Sequence, residues 1–113
     1  MSDSSTSPSA GRCRELGPAP LPAVIEQDLD VLSALANETR YRIIRLLDEH
    51  DEVCVCDIDA SLAASQSAIS HALSKLHRVG LVDRRKEGRW RYYRNTSVAK
   101  AVLAALDDGR ASR

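Results

Sequence analysis

Cys54 and Cys56 stand one residue apart in the stretch DEVCVCDID, residues 51–59, and the chain holds one further cysteine, Cys13, far upstream. A thiolate is a nucleophile and a soft ligand, so a pair this close can share one soft ion or join in a redox-active disulfide. The plain alternative is two small apolar residues at a helix start. Thiol catalysis fits the pattern poorly: the spacing is C-x-C rather than C-x-x-C, and neither a paired base nor a cofactor-binding loop accompanies it. No enzyme activity and no resident cofactor are expected. Three cysteines are an odd number and too few to staple a chain of 113 residues, which favours free thiols over a disulfide framework. His50, His71 and His77 are individually weak as ligands, and Asp57 is expected to cap the helix beside the pair.

A second chemistry is written in cations. Residues 75–94 hold Lys75, Arg78, Arg84, Arg85, Lys86, Arg89, Arg91 and Arg94 against Asp83 and Glu87, a net +6, so the rest of a chain of zero net charge carries −6. A basic segment on an otherwise acidic chain suits a polyanion, with the acidic remainder weakening binding elsewhere. A merely solvated charged face would look the same by charge alone.

These residues need elements to hold them. Residues 1–22, rich in Ser, Pro and Gly, cannot bury enough apolar surface to offset the entropy of ordering and read as a flexible arm. Residues 23–108 read as one domain and 109–113 as a tail. Within the domain, Val24, Ile25, Leu29, Leu32 and Leu35 recur at helical spacing over 24–36, and Asn37 is a plausible N-cap for a helix over 38–49. A short helix over 56–64 follows the cysteine pair. Ser65 caps the next, over 66–79, whose stripe is Ile69, Ala72, Leu73, Leu76 and Val79 and whose stop is Gly80. The spacing then switches to period two around a Glu87-Gly88 turn, a basic hairpin with Trp90 and Tyr92 opposite in parity to Arg89 and Arg91. A helix over 97–106 closes the domain. With 43% apolar residues, only 4% aromatic and no Phe, the core must be aliphatic. No run approaches the roughly 18 apolar residues of a membrane span and the start is no leader, so a cytoplasmic protein without membrane contact is expected.

Two short helices joined by a tight turn and followed by a basic hairpin spell a winged helix-turn-helix, mainly α with a β-hairpin wing. Opposite its apolar stripe the second helix presents Gln66, Ser67, Ser70, His71, Ser74, Lys75 and Arg78. Gln, Ser and His groups can read base edges in the major groove of double-stranded DNA, while Lys and Arg neutralise phosphate. Lys86 and Arg89, flanking the hairpin tip, are the candidate backbone contacts of the wing. Trp90, Tyr92 and Tyr93 read as packing groups rather than base-stacking ones.

The phrases LSALANETRYRIIRLL, VCVCDI and SQSAISHALSKLHRVGLVDRRKEGRWRYYR, in that order between Leu32 and Arg94, closely resemble the ArsR/SmtB family of metal-responsive bacterial and archaeal transcriptional repressors. The resemblance implies a homodimer paired through its first and last helices, which binds a DNA operator of imperfect dyad symmetry and releases it when an inducer binds. A dimer also suits a domain too small to bury a large core.

The resemblance further implies that CVCD is the thiolate inducer site that the family's arsenite and antimonite sensors, and its cadmium and lead sensors, carry at this point. One branch adds a local third cysteine where this chain has Asp59; other members take ligands from the N-terminal arm, which makes Cys13 the third ligand beside Cys54 and Cys56. Three soft thiolates in a pyramid suit trivalent arsenic or antimony. Cadmium or lead is the alternative inducer and would need a fourth ligand, and a thiol-redox switch of the same fold is another. The last helix carries no His for a zinc or nickel site. Residues i and i+2 of a helix point about 200° apart, so the pair can face one ion only if the first turn unwinds or the pair lies just before it, and binding is expected to distort the entry to that helix.

Overall fold

The computed structural model describes residues 14–113. Helix α1 spans Pro22–Leu35 and opens on its proline, whose missing N–H is one that a first turn does not use. Its one buried residue is Ala34; Val24, Ile25, Leu29 and Leu32 stay exposed. Helix α2, Glu38–Asp48, begins at Asn37 as expected, the side-chain oxygen accepting from the Arg40 N–H at 3.0 Å. It buries Ile43, Ile44 and Leu47.

Strand β1 is the two residues Val53–Cys54, and helix α3, Val55–Ser61, follows without a break. Helix α4, Gln66–Arg78, is capped by Ser65, which accepts from the Ala68 N–H at 3.0 Å. Strands β2, Val82–Glu87, and β3, Trp90–Asn95, form the hairpin, and helix α5, Ser97–Ala111, ends the chain. The sheet order is β1-β3-β2, antiparallel throughout. The core is aliphatic, with Ile43, Ile44 and Leu47 of α2 joined by Ile58 of α3, Ile69, Leu73 and Leu76 of α4, Leu81, Val82 and Leu103, and with Tyr93 as its fully buried aromatic among the described residues.

Several boundaries differ from the sequence reading. Helix α1 takes in Pro22, which the sequence reading gives to the arm; residues 1–13 of that arm lie outside the described residues. The short helix runs over Val55–Ser61, ahead of the expected 56–64, since the N-cap is Cys54; Asp57 sits in the first turn and caps nothing. Residues 109–111 are not tail but the end of α5. That extra turn is braced by Asp107, which pairs with Arg45 of α2 at 2.9 Å and with Arg110 of its own helix. Among the described residues no helix is long and apolar enough to cross a membrane.

Candidate nucleic-acid interface and thiol pair

Helix α4 is held by one face and offers the other. Ile69, Ala72, Leu73 and Leu76 are buried, whereas Gln66, Ser67, Ser70, His71, Ser74 and Arg78 are exposed and Lys75 is half-buried. The candidate reading residues therefore lie together on a solvent-facing strip, hydroxyls and amide toward the N-terminus and cations toward the C-terminus. The helix stops on a Schellman motif: the Gly80 N–H donates to the His77 carbonyl at 3.1 Å and the Leu81 N–H to the Leu76 carbonyl at 2.9 Å. Gly80 supplies the left-handed residue this needs, at φ +82°, and Leu81 and Leu76 are both fully buried beside it. The Thr96 hydroxyl donates to the Gly80 carbonyl at 2.8 Å and its oxygen also accepts from the Ala99 N–H, so the end of α4 is tied to the start of α5.

The hairpin pairs Glu87 with Trp90, which makes Gly88 and Arg89 its two loop residues rather than Glu87 and Gly88. Gly88, at φ +61°, takes the first central position, where two-residue hairpins demand a positive φ. Arg89 is thereby carried at the tip itself and Lys86 on β2 opposite Arg91, both exposed. The aromatics divide: Tyr93 is buried in the core, Tyr92 is half-buried, and Trp90 is 48% exposed and does not pack into the core. Arg85 is less available than its neighbours, because its guanidinium bonds both Glu52 and Glu87. Asn95 anchors the base of the wing, its buried amide donating to the Ile44 carbonyl at 3.0 Å.

Cys54 is the last residue of β1 and the N-cap of α3, with extended backbone at φ −69°, ψ 144°; Cys56 lies in the first helical turn. Because Cys54 precedes the helix, the 200° divergence does not apply, and the two Sγ atoms lie 3.0 Å apart. The expected distortion of the helix start is thus not required for the pair to face one ion. Cys54 is buried and Cys56 exposed, so the site has one anchored and one accessible sulfur. The hydrogen bond between the thiols pushes the Cys56 thiol above its usual range, with desolvation and the charges of Cys54 and Asp57 adding to it. Cys13 lies outside the described residues. Among the described residues no group of three or more His, Cys, Asp and Glu side chains could hold a metal ion.

Two features of the site were not visible in the sequence. Strand β1, which pairs Val53 with Tyr93 and Cys54 with Tyr92, joins the thiol pair to the hairpin as a third strand. The Glu52–Arg85 ion pair bridges 33 residues of chain, and no local pattern marks either partner.

The sequence profile described as "Bacterial regulatory protein, arsR family" matches residues 37–84. A Halobacterium salinarum protein named as an arsenical resistance operon repressor, ArsR2, is 54% identical over 84 residues, which make up 74% of this chain and 71% of that protein. The arsenical resistance operon repressor of Escherichia coli is 44% identical over 80 residues, 71% of this chain and 68% of that one. Among solved structures, the homodimeric winged helix-turn-helix DNA-binding domain Mb0332 from Mycobacterium bovis matches with a TM-score of 0.68 at 34% identity, covering 80% of this chain and 82% of that one.

Proposed function

The chain belongs to the arsR family of bacterial regulatory proteins, and from that premise we propose a transcriptional repressor that binds a dyad operator as a homodimer and leaves it when trivalent arsenic or antimony is bound by cysteine thiolates. The observation that carries the inducer reading is the Cys54–Cys56 pair, two sulfurs 3.0 Å apart at the head of the first helix of the helix-turn-helix. The chain's three cysteines match the three-coordinate pyramid of trivalent arsenic or antimony, which supports arsenite or antimonite over the alternative inducers cadmium and lead. The third sulfur is assigned to Cys13. The step is balanced without an oxidant: each thiol replaces one hydroxide of arsenous acid, forming an As–S bond and releasing one water.

DNA binding is supported by the exposed polar strip of α4 beside the cationic wing tip, with Gln66, Ser67, Ser70 and His71 toward base edges and Ser74, Lys75, Arg78, Lys86 and Arg89 toward the backbone. Dimerisation is supported by the apolar side chains that this chain leaves uncovered, Val24, Ile25, Leu29 and Leu32 of α1 with Val98 and Leu106 of α5. Its place of work is the cytoplasm, where the operator is.

The test is operator release, followed by fluorescence anisotropy of labelled DNA, titrated with arsenite, antimonite, cadmium, lead and zinc on the wild type, Cys54→Ser and Cys13→Ser. Both variants should bind operator normally and fail to release it in arsenite. Release retained in Cys54→Ser overturns the thiol assignment, release retained in Cys13→Ser removes the third ligand, and release by cadmium alone, or by oxidant alone, replaces the inducer.

A further inference from the structure

Glu52 stands two residues before Cys54, and its carboxylate is gripped from another element. Arg85, in the middle of β2, donates from Nε to Oε2 at 3.1 Å and from Nη2 to Oε1 at 2.8 Å, a bidentate pair. The remaining Nη1 donates to Glu87 at 2.7 Å, and the guanidinium carbon lies 4.7 Å from the centre of the Tyr92 ring. Tyr92 is the cross-strand partner of Arg85 on one side and of Cys54 on the other. Cross-strand partners share a face of a sheet, so Cys54, Tyr92 and Arg85 form one lateral row across the three strands, and the Glu52–Arg85 pair closes it above the central strand.

We propose that Glu52 and Arg85 are positioning residues that couple the thiol pair to the wing, this row being the path along which a change at Cys54 moves the hairpin. The inference rests on the inducer reading above and deepens it. A two-residue edge strand held only by its ladder would peel from β3 when Cys54 shifts toward a shared ion, and the wing would feel little. Tied at Glu52 to β2 by a bidentate pair, the strand pulls on the hairpin as it leaves. Lys86 lies next to Arg85 and Arg89 at the adjoining tip, so the wing's DNA contacts move with the clamp. Because coupling is reciprocal, DNA held against the wing must in turn restrain the thiols, and removing the clamp must weaken both effects together.

The experiment compares wild type with Glu52→Ala and with the charge-exchanged double variant Glu52→Arg/Arg85→Glu. Operator affinity is measured with and without arsenite, and thiol occupancy is followed by the ultraviolet absorption of the arsenic–sulfur bonds. In parallel, the alkylation rates of Cys54 and Cys56 by iodoacetamide are measured by peptide mass spectrometry with and without operator. Glu52→Ala should take up arsenite at the thiols and bind operator within about twofold of wild type, while its arsenite-induced loss of affinity shrinks about three- to fivefold. Operator should slow alkylation severalfold in wild type and not at all in Glu52→Ala, and the exchanged pair should restore both effects in part. An unchanged arsenite effect in Glu52→Ala with thiols occupied overturns the coupling. A wild type that holds operator in arsenite overturns the inducer reading alone; the coupling then stands or falls on the alkylation rates, and equal operator protection in wild type and Glu52→Ala, or none in either, overturns it.

Discussion

Replacing Gly80 by alanine should cost about 1 kcal/mol, and the structure says where that comes from. Gly80 sits at φ +82°, and a Cβ built there meets nothing within 4 Å. No clash adds to the cost, which leaves the left-handed backbone, worth about 1–2 kcal/mol for a residue with a Cβ. The reduced freedom of the unfolded chain returns about 0.4–1 kcal/mol of it. Gly109 is the internal control. It lies inside α5 without a positive φ and has equally open surroundings, so the same glycine-to-alanine change there should stabilise by up to about 1 kcal/mol through helix propensity. Urea unfolding followed by circular dichroism, at one fixed protomer concentration so that self-association contributes equally, reads both. With a slope of about 1–2 kcal/mol/M, the midpoint of Gly80→Ala should fall by about 0.5–1 M and that of Gly109→Ala should rise. If Gly80→Ala matches wild type, the Schellman ending of α4 is not held as described. A loss above about 3 kcal/mol would mean that the new Cβ meets packed atoms.

Acid should weaken the fold through two carboxylates that cations hold below their ordinary values of 4.5 and 3.8: Glu52, bonded by Arg85, and Asp107, bonded by Arg45. A depressed acid contributes fully above its unfolded value and loses the contribution as pH falls through its folded one. The melting-temperature gap between wild type and Asp107→Asn should therefore be constant from pH 7 to about 5 and close on further acidification; a gap that does not depend on pH would refute the pairing. Gln66→Ala and Ser70→Ala should reduce operator affinity more than affinity for random DNA, whereas Lys86→Ala and Arg89→Ala should weaken both alike and lower the salt slope by about 1 each, by anisotropy at several salt concentrations. Calorimetry in buffers of different ionisation enthalpy should find almost no net proton release with arsenite, since each thiol proton leaves in water, and substantial release with cadmium. Trp90, the sole tryptophan and 48% exposed, should emit at long wavelength and be quenched by iodide; a blue, unquenched emission would contradict the wing geometry.

Much of this architecture could be read from residue order because it is local. Helix α4 carried its cap at Ser65, its stripe and its stop at Gly80 within sixteen consecutive residues, and each lies where the pattern put it. The hairpin was equally legible by its period, but its turn was read one residue early, since Glu87-Gly88 and Gly88-Arg89 satisfy the same glycine requirement and only the register decides between them. What escaped depends on distance along the chain. Val53–Cys54 is too short to show a period, and it is a strand because Tyr92 and Tyr93 offer it a free edge. The last helix reads as ending at 106, yet α5 continues to Ala111, and Asp107 in that extension pairs with Arg45, far away in sequence. The mutual approach of Cys54 and Cys56 was likewise hidden, because it follows from a strand-to-helix junction that falls between them.

Thr96 has a consequence for the DNA itself. Its hydroxyl ties the last turn of α4 to the first of α5, and its backbone N–H donates to the Leu81 carbonyl at 3.1 Å. The helix that would read bases and the helix that would meet a partner subunit thus share one stiff joint, with little slack to change their mutual angle. A two-fold protein so built measures distance as well as sequence. One base pair inserted at the operator's centre turns one half-site by about 35° against the other, and the protein would have to bend at that joint to follow. Half-site separation should accordingly be as strict a requirement as the bases in the half-sites, and loosening the joint at Thr96 is where tolerance of a wrong spacing would first arise.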